Sequence, residues 1–195
     1  MSEVPAPVPD AELLARSATG DAEAFADFVA RHRVAVHRFA SHLTRNAADA
    51  EEVLQQTFVQ AWRNAGAVRA TGSARPWLFT VARNARVRLR RAAAVAADVV
   101  SLESLGGDAG FADPAAAPER FAQALESKAL LHDAMAALSE PDREVLVLRE
   151  LEQLPGEEVA AVLGLSLEAM KSRLHRARLR LVAEVRRRLP AGGDA

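Results

Sequence analysis

The sequence contains neither cysteine nor tyrosine. Without cysteine there is no disulfide, no thiolate metal site and no cysteine nucleophile, a pattern compatible with a reducing compartment. Aromatic residues make up only 5% of the chain, and clean apolar alternation never persists, so strands have little to form from. Long apolar runs are missing too: none approaches the roughly 20 residues that span a bilayer, which argues against membrane insertion. The first ten residues, Met1 to Asp10, carry Pro5, Pro7 and Pro9 but no basic region and no apolar core. They are expected to form a flexible tail rather than a signal peptide, and the protein is expected in the cytoplasm.

What is present supports packed cores, since half of the 195 residues are hydrophobic. The net charge of -1 conceals an uneven distribution. Five arginines and no acid lie between Arg83 and Arg91, and Lys171 to Arg188 holds eight basic residues against Glu184 alone. Two basic stretches in an otherwise acidic chain suggest a polyanionic partner. Between roughly Ala92 and Pro118 helical periodicity fails, and Gly106, Gly107, Gly110, Pro114 and Pro118 interrupt an alanine-rich segment that buries little. Alanine, leucine, arginine and glutamate dominate both flanks. The expected class is all-α: two small helical domains joined by a flexible linker, the C-terminal one a four-helix domain with a helix-turn-helix. The expected boundaries are a tail at 1–10, a domain at 11–92, a linker at 93–118, a domain at 119–190 and a tail at 191–195.

In the first domain Ala24, Phe25, Phe28, Val29, Val36, Phe39, Ala40 and Leu43 recur at three- and four-residue steps, the mark of a buried helix face. Asn46 is placed to cap a second helix, with Asp49 in its first turn, and Ala50, Val53, Leu54, Thr57, Phe58, Ala61 and Trp62 form its stripe. Gly66 and Gly72 bracket a loop. Ser73 then offers a cap to a third helix with Pro76 in its first turn, where a missing amide proton costs nothing.

In the second domain a helix with Leu125, Leu130, Leu131, Ala134, Met135 and Leu138 ends near Ser139, which with Asp142 makes a capping-box-like start to the next. A short helix from about Gly156 to Leu163, a turn at Gly164-Leu165-Ser166 and a long helix from Leu167 follow, which is a helix-turn-helix. Ala160 lets the two helices approach, Gly164 suits the left-handed conformation that ends the first, and Ser166 suits a cap on the second. Helical spacing puts Lys171, Ser172, His175 and Arg178 opposite Met170, Leu174 and Ala177, with Arg173 and Arg176 at the flanks. A cationic outer face on a second helix suits the DNA major groove.

Enzymatic readings find little support. His32, His37 and His42 are five residues apart, so successive rings on a helix turn by about 140° and do not converge on one metal. Gly106-Gly107 lacks the other glycines of a phosphate loop, and no serine sits in a nucleophile motif. Neither catalysis nor a cofactor is expected.

Three segments carry a family resemblance. Asp49-Ala-Glu-Glu-Val-Leu-Gln-Gln-Thr-Phe-Val-Gln-Ala-Trp62 resembles the polymerase-binding helix of sigma-70 factors of the extracytoplasmic-function (ECF) group. Pro76-Trp-Leu-Phe-Thr-Val-Ala-Arg-Asn84, with the arginines after it, resembles that group's minus-ten helix. Ser166 to Arg178, containing Lys171-Ser-Arg-Leu-His-Arg-Ala-Arg178, resembles its minus-thirty-five reader. The resemblance implies a factor that binds core RNA polymerase and directs promoter-specific initiation, with an anti-sigma factor as a further partner. It implies polymerase contacts at Asp49, Glu51, Glu52, Gln55, Gln56 and Trp62. Minus-ten contacts would fall to Arg75, Trp77, Arg83, Asn84, Arg86, Arg88 and Arg90, with a base pocket in the loop Arg69 to Arg75. Minus-thirty-five contacts would fall to Ser166, Glu168, Ala169, Lys171, Ser172, Arg173, His175 and Arg176.

Three segments depart from the family pattern. Gln56 stands where many members carry an acid, Glu168-Ala169-Met170 replaces a frequent Gly-Thr-Val, and Pro155-Gly156 replaces a serine and an aromatic, leaving a poorer cap. The alternative reading is a conventional regulator that binds an operator without polymerase. The acidic helix Asp49 to Trp62 favours the sigma reading.

Overall fold

The structure is a computed structural model describing residues 7–44, 46–68, 73–97 and 128–189. Among these residues all regular structure is helical. The chain divides into two compact units, residues 1–107 and 108–195.

The first unit contains α1 (Asp10–Ala18), α2 (Ala22–Leu43), α3 (Ala47–Arg63), a 3-10 turn (Ala65–Ala67) and α4 (Arg75–Ala97). Local chemistry sets most of these ends. Gly20 takes a φ of 93° between α1 and α2, and the Asp21 carboxylate accepts the Ala24 amide to cap α2. The Asn46 side chain accepts the Asp49 amide at 2.8 Å, the expected cap of α3. Helix α2 packs against α1, α3 and α4, burying Phe28, Val36, Phe39 and Leu43 against Leu13, Leu14, Val53, Leu78 and Phe79. Phe39 and Phe79 meet with ring centroids 4.9 Å apart. Each such side chain contributes about 1.5–3 kcal/mol through burial, so this core outweighs any single surface pair.

Two boundaries differ from the sequence expectation. The tail expected over 1–10 ends in a buried residue, because Asp10 opens α1; the nine-residue helix offers only Leu13 and Leu14 as large apolar positions, too few to show a period. Helix α4 runs to Ala97, past the expected linker start at 93, since its last turns are alanine-rich and alanine is the best helix former. The rest of the linker, 98–118, lies outside the described residues, as do residues 1–6, Leu125 and 190–195.

The second unit contains a helix described over 128–136 (α5), α6 (Glu140–Leu146), a π turn (Val147–Leu151), α7 (Gly156–Leu163) and α8 (Leu167–Arg188). Its core joins Ala134, Met135 and Leu138 to Val145, Leu146, Leu148, Val159, Leu163, Met170 and Leu174. The Arg143 guanidinium donates to the carbonyls of Met135, Ala136 and Leu138, closing the end of α5. Ser139 sits at the start of α6 without a side-chain cap, so the expected capping box does not form. The buried Asp142 carboxylate pairs instead with Arg180 of α8.

Candidate nucleic-acid interface

Helix α3 presents the first surface. Glu51, Gln55 and Gln56 are exposed, and Asp49 and Glu52 are half-buried. Gln56 donates to the Glu52 carboxylate at 3.0 Å, so the residue standing in place of an acid is engaged by its own helix. Beside them runs an open groove floored by Ala26, Val29, Ala30, Leu54 and Phe58 and rimmed by Arg33, Glu51 and Gln55. Trp62 remains 41% exposed, its ring edge-on to Phe25 at 4.9 Å. It is not the core residue its stripe suggested. The α2 wall of this groove was missed in the sequence, although Ala26, Val29, Ala30 and Arg33 stand at i, i+3, i+4 and i+7.

Helix α4 carries the second surface. Trp77, Asn84 and Arg88, seven and eleven residues apart, fall in one row along the helix; Asn84 and Arg88 are exposed and Trp77 is half-buried. Arg90 is exposed, and Arg75, Arg83 and Arg86 are half-buried beside the core-facing side. The Arg75 guanidinium lies over the Phe79 ring, 5.7 Å from its centre. Of the loop Arg69 to Arg75, expected to hold a base pocket, residues 69–72 lie outside the described residues.

The start of α4 is held from a distance. The Asp10 carboxylate, 5% exposed, accepts the Ala74 amide at 2.7 Å and the Arg31 guanidinium at 2.7 Å. His32 Nε2 stands 2.9 Å from the same carboxylate but off the line of a good hydrogen bond. Burial acts to raise the Asp10 carboxyl, yet the Ala74 amide, Arg31 and His32 outweigh it and hold it below its ordinary value. Burial lowers the imidazole of His32, which Asp10 only partly opposes. The Ser73 hydroxyl accepts the Arg75 amide at 3.2 Å, sharing the capping role expected of it alone.

The third surface belongs to α7 and α8. Gly164 ends α7 at φ 66°, with the Leu165 amide donating back to Ala160 at 2.9 Å. Ser166 caps α8 by accepting the Ala169 amide at 3.1 Å. Glu168, Ala169, Lys171, Ser172, His175 and Arg176 are exposed, and Arg173 is half-buried. Met170, Leu174 and Ala177 are buried, as their spacing required. Arg178 is exposed as expected of the outer row, and there it donates to Glu150 at 3.0 Å and ties α8 to the π turn. Glu184 pairs with both Arg188 and Arg187, whose guanidinium groups hold its carboxyl below the ordinary value, and this single carboxylate against Arg186, Arg187 and Arg188 leaves the end of α8 cationic. No side chain caps α7, as the Pro155-Gly156 pair implied. A Cβ at Gly156 would lie 3.0 Å from the Met170 methyl, so two departures from the family pattern pack against one another.

Among the described residues no helix is long and apolar enough to cross a membrane, and no group of three His, Asp or Glu could hold a metal. Residues 28–95 match the family model for sigma-70 region 2, and residues 128–181 match that for sigma-70 region 4. The RNA polymerase sigma factor CnrH of Cupriavidus metallidurans is 34% identical over 177 residues, covering 89% of this chain and 93% of that protein. The ECF RNA polymerase sigma factor SigL of Mycobacterium tuberculosis is 34% identical over 145 residues, covering 74% and 78%. Among solved structures, CnrH in complex with the cytosolic domain of CnrY shares 30% identity with a TM-score of 0.64, covering 92% of this chain and 98% of that one. Sigma factor RpoE in complex with the anti-sigma factor NepR from Bartonella quintana shares 25% identity with a TM-score of 0.65, covering 83% and 96%.

Proposed function

The chain belongs to the sigma-70 family of RNA polymerase sigma factors, in its ECF group, and from that premise we propose how its helices divide the work of transcription initiation. Helix α3 and the groove it shares with α2 bind core RNA polymerase. An apolar floor supplies contact area, while Glu51 and Gln55 on its rim supply direction for basic partner residues. Helix α4 holds the melted minus-ten strand: Arg88 and the flanking arginines contact phosphates, and Trp77 offers an aromatic face at the end of the row. Helix α8 enters the major groove of the minus-thirty-five element with Lys171, Arg173 and Arg176, while Glu168 and Ala169 face the bases nearest its tip. The chain's work is binding and positioning rather than catalysis, its setting is the cytoplasm, and an anti-sigma factor is a further partner, as the relatives' complexes suggest.

The observation that carries this reading is the exposed row on α8, which follows a left-handed Gly164 and a Ser166 cap and leaves Met170, Leu174 and Ala177 buried behind it. A cationic exposed row on the second helix of a helix-turn-helix suits docking into a major groove. Run-off transcription with purified core polymerase and a pool of genomic promoters tests the function. Specific transcripts are expected only when the chain and core are combined. Specific binding of duplex operator DNA by the chain alone, with no stimulated transcripts, would make it a conventional regulator.

A further inference from the structure

We propose that Asp10 is a positioning residue for minus-ten recognition, fixing the first turn of α4 through its bond to the Ala74 amide. The proposal rests on the reading of α4 as the minus-ten helix. The bond links residues 64 apart in sequence and is buried. Ala74 directly precedes α4, so its amide belongs to the group that a helix start leaves without an intrahelical acceptor. An α-helix usually meets that need with a side chain close by in sequence. Here Ser73 serves only the Arg75 amide, and the Ala74 amide is met by a carboxylate from α1. A negative group at a helix start also favours the helix dipole.

The consequence is geometric. Arg75 and Trp77 lie within the first turn of α4, directly after the residue Asp10 grips. The Arg31 guanidinium fixes the other carboxylate oxygen from α2 at 2.7 Å, so α1, α2 and the start of α4 meet on one side chain. Losing that grip frees the first turn of α4 to fray, while α3 and the rest of the first unit's core keep their own packing. A carboxamide at this position keeps the shape but turns one acceptor into a donor facing Arg31 or the Ala74 amide.

The test uses the full chain bound to core polymerase, with a fluorescent single-stranded minus-ten oligonucleotide as the probe. Asp10→Asn is expected to weaken oligonucleotide binding about tenfold, by disordering rather than removing contacts, while core affinity stays within about twofold. Amide hydrogen exchange at Ala74 is expected to be slow in the parent and fast in the variant. Oligonucleotide affinity equal to that of the parent, with only a lowered melting temperature, would reduce Asp10 to a fold residue and overturn the proposal. Should Asp10→Asn fail to fold, Arg31→Gln at its partly exposed site takes its place; faster Ala74 exchange with weaker oligonucleotide binding supports the proposal, and unchanged values of both overturn it. Combined Arg83→Ala, Arg86→Ala and Arg88→Ala separates the two levels of the account. If that triple variant binds the oligonucleotide normally, the assignment of α4 itself fails; if it binds weakly while Asp10→Asn binds normally, only the role of Asp10 fails.

Discussion

His32, whose spacing from His37 and His42 argued against a shared metal, serves the fold. It is buried against Phe28 at 4.7 Å between ring centroids, faces the Asp10 carboxylate, and has Arg31 and Arg75 nearby, both of which disfavour its protonation. Because burial depresses its pKa in the folded state, the unfolded chain binds a proton more readily below about pH 6.5. Its contribution to stability is therefore complete above that pH and falls as the pH drops toward the folded value. Asp10, also depressed, acts in the same direction at lower pH, losing its contribution as the medium falls below about 3.9. Thermal melts are expected to decline from about pH 6.5 to 5 in the parent and to flatten in His32→Gln; an identical slope in both would remove His32 as the cause. Gln153 is a second residue with a local consequence. It is exposed and sits at φ 55° just after the π turn, a conformation that glycine adopts without a Cβ penalty. Gln153→Gly is expected to stabilise the second unit by about 0.5–1 kcal/mol, read as a raised urea midpoint; a lowered midpoint would mean the side chain itself holds the turn.

The elements differ in how far they could be read before the structure was known, and the differences have physical causes. Helices α2, α3 and α8 carry long apolar stripes and local caps, so period and capping residue agree, and Asn46 and Ser166 act where their chemistry placed them; the eight-residue α7 was legible from its end, where Gly164 turns left-handed. Helix α1 is too short to display a period, and the cap of α4 comes from Asp10, distant in sequence, which no local pattern reveals. The π turn over Val147–Leu151 was hidden for a related reason: its residues fit a continuing helix, and the break follows from Leu154 donating to Leu148 and Arg149 donating to the Leu154 carbonyl. On α8 the exposed row was legible as a whole, but the pairing of Arg178 with Glu150 needed tertiary contact. What remains on that helix separates reading from positioning. Glu168, near the tip, is able to accept from cytosine N4, whereas Arg176 lies two turns further along toward phosphate. Glu168→Ala is expected to change the base preferred in the minus-thirty-five element, a selection shift of about tenfold or more, while Arg176→Ala weakens all promoters alike. A selected sequence unchanged by the first and altered by the second would reverse the two roles.

At the scale of the whole molecule, two separately packed units carry three surfaces of different character, one apolar and acidic, two cationic. A near-neutral chain thus contains strongly unlike faces, which total charge conceals and position along the chain reveals. The order of the three segments made the family legible, because each is short but their sequence is shared along 93% of a relative's length. The groove on α2 and α3 was less legible, since half its lining comes from a helix whose stripe looked like core. One surface brings the chain to polymerase, and the others then meet the promoter. Glu51 is exposed and Glu52 half-buried on the solvent side of α3, so reversing their charge should leave the core of the first unit intact. The direct measurement is the affinity of Glu51→Arg with Glu52→Arg for core polymerase, taken beside its circular dichroism and its run-off transcripts. The expected result is a helical protein that no longer associates with core and initiates from no promoter; undiminished association with core would contradict the assignment of α3 and the division of labour built on it.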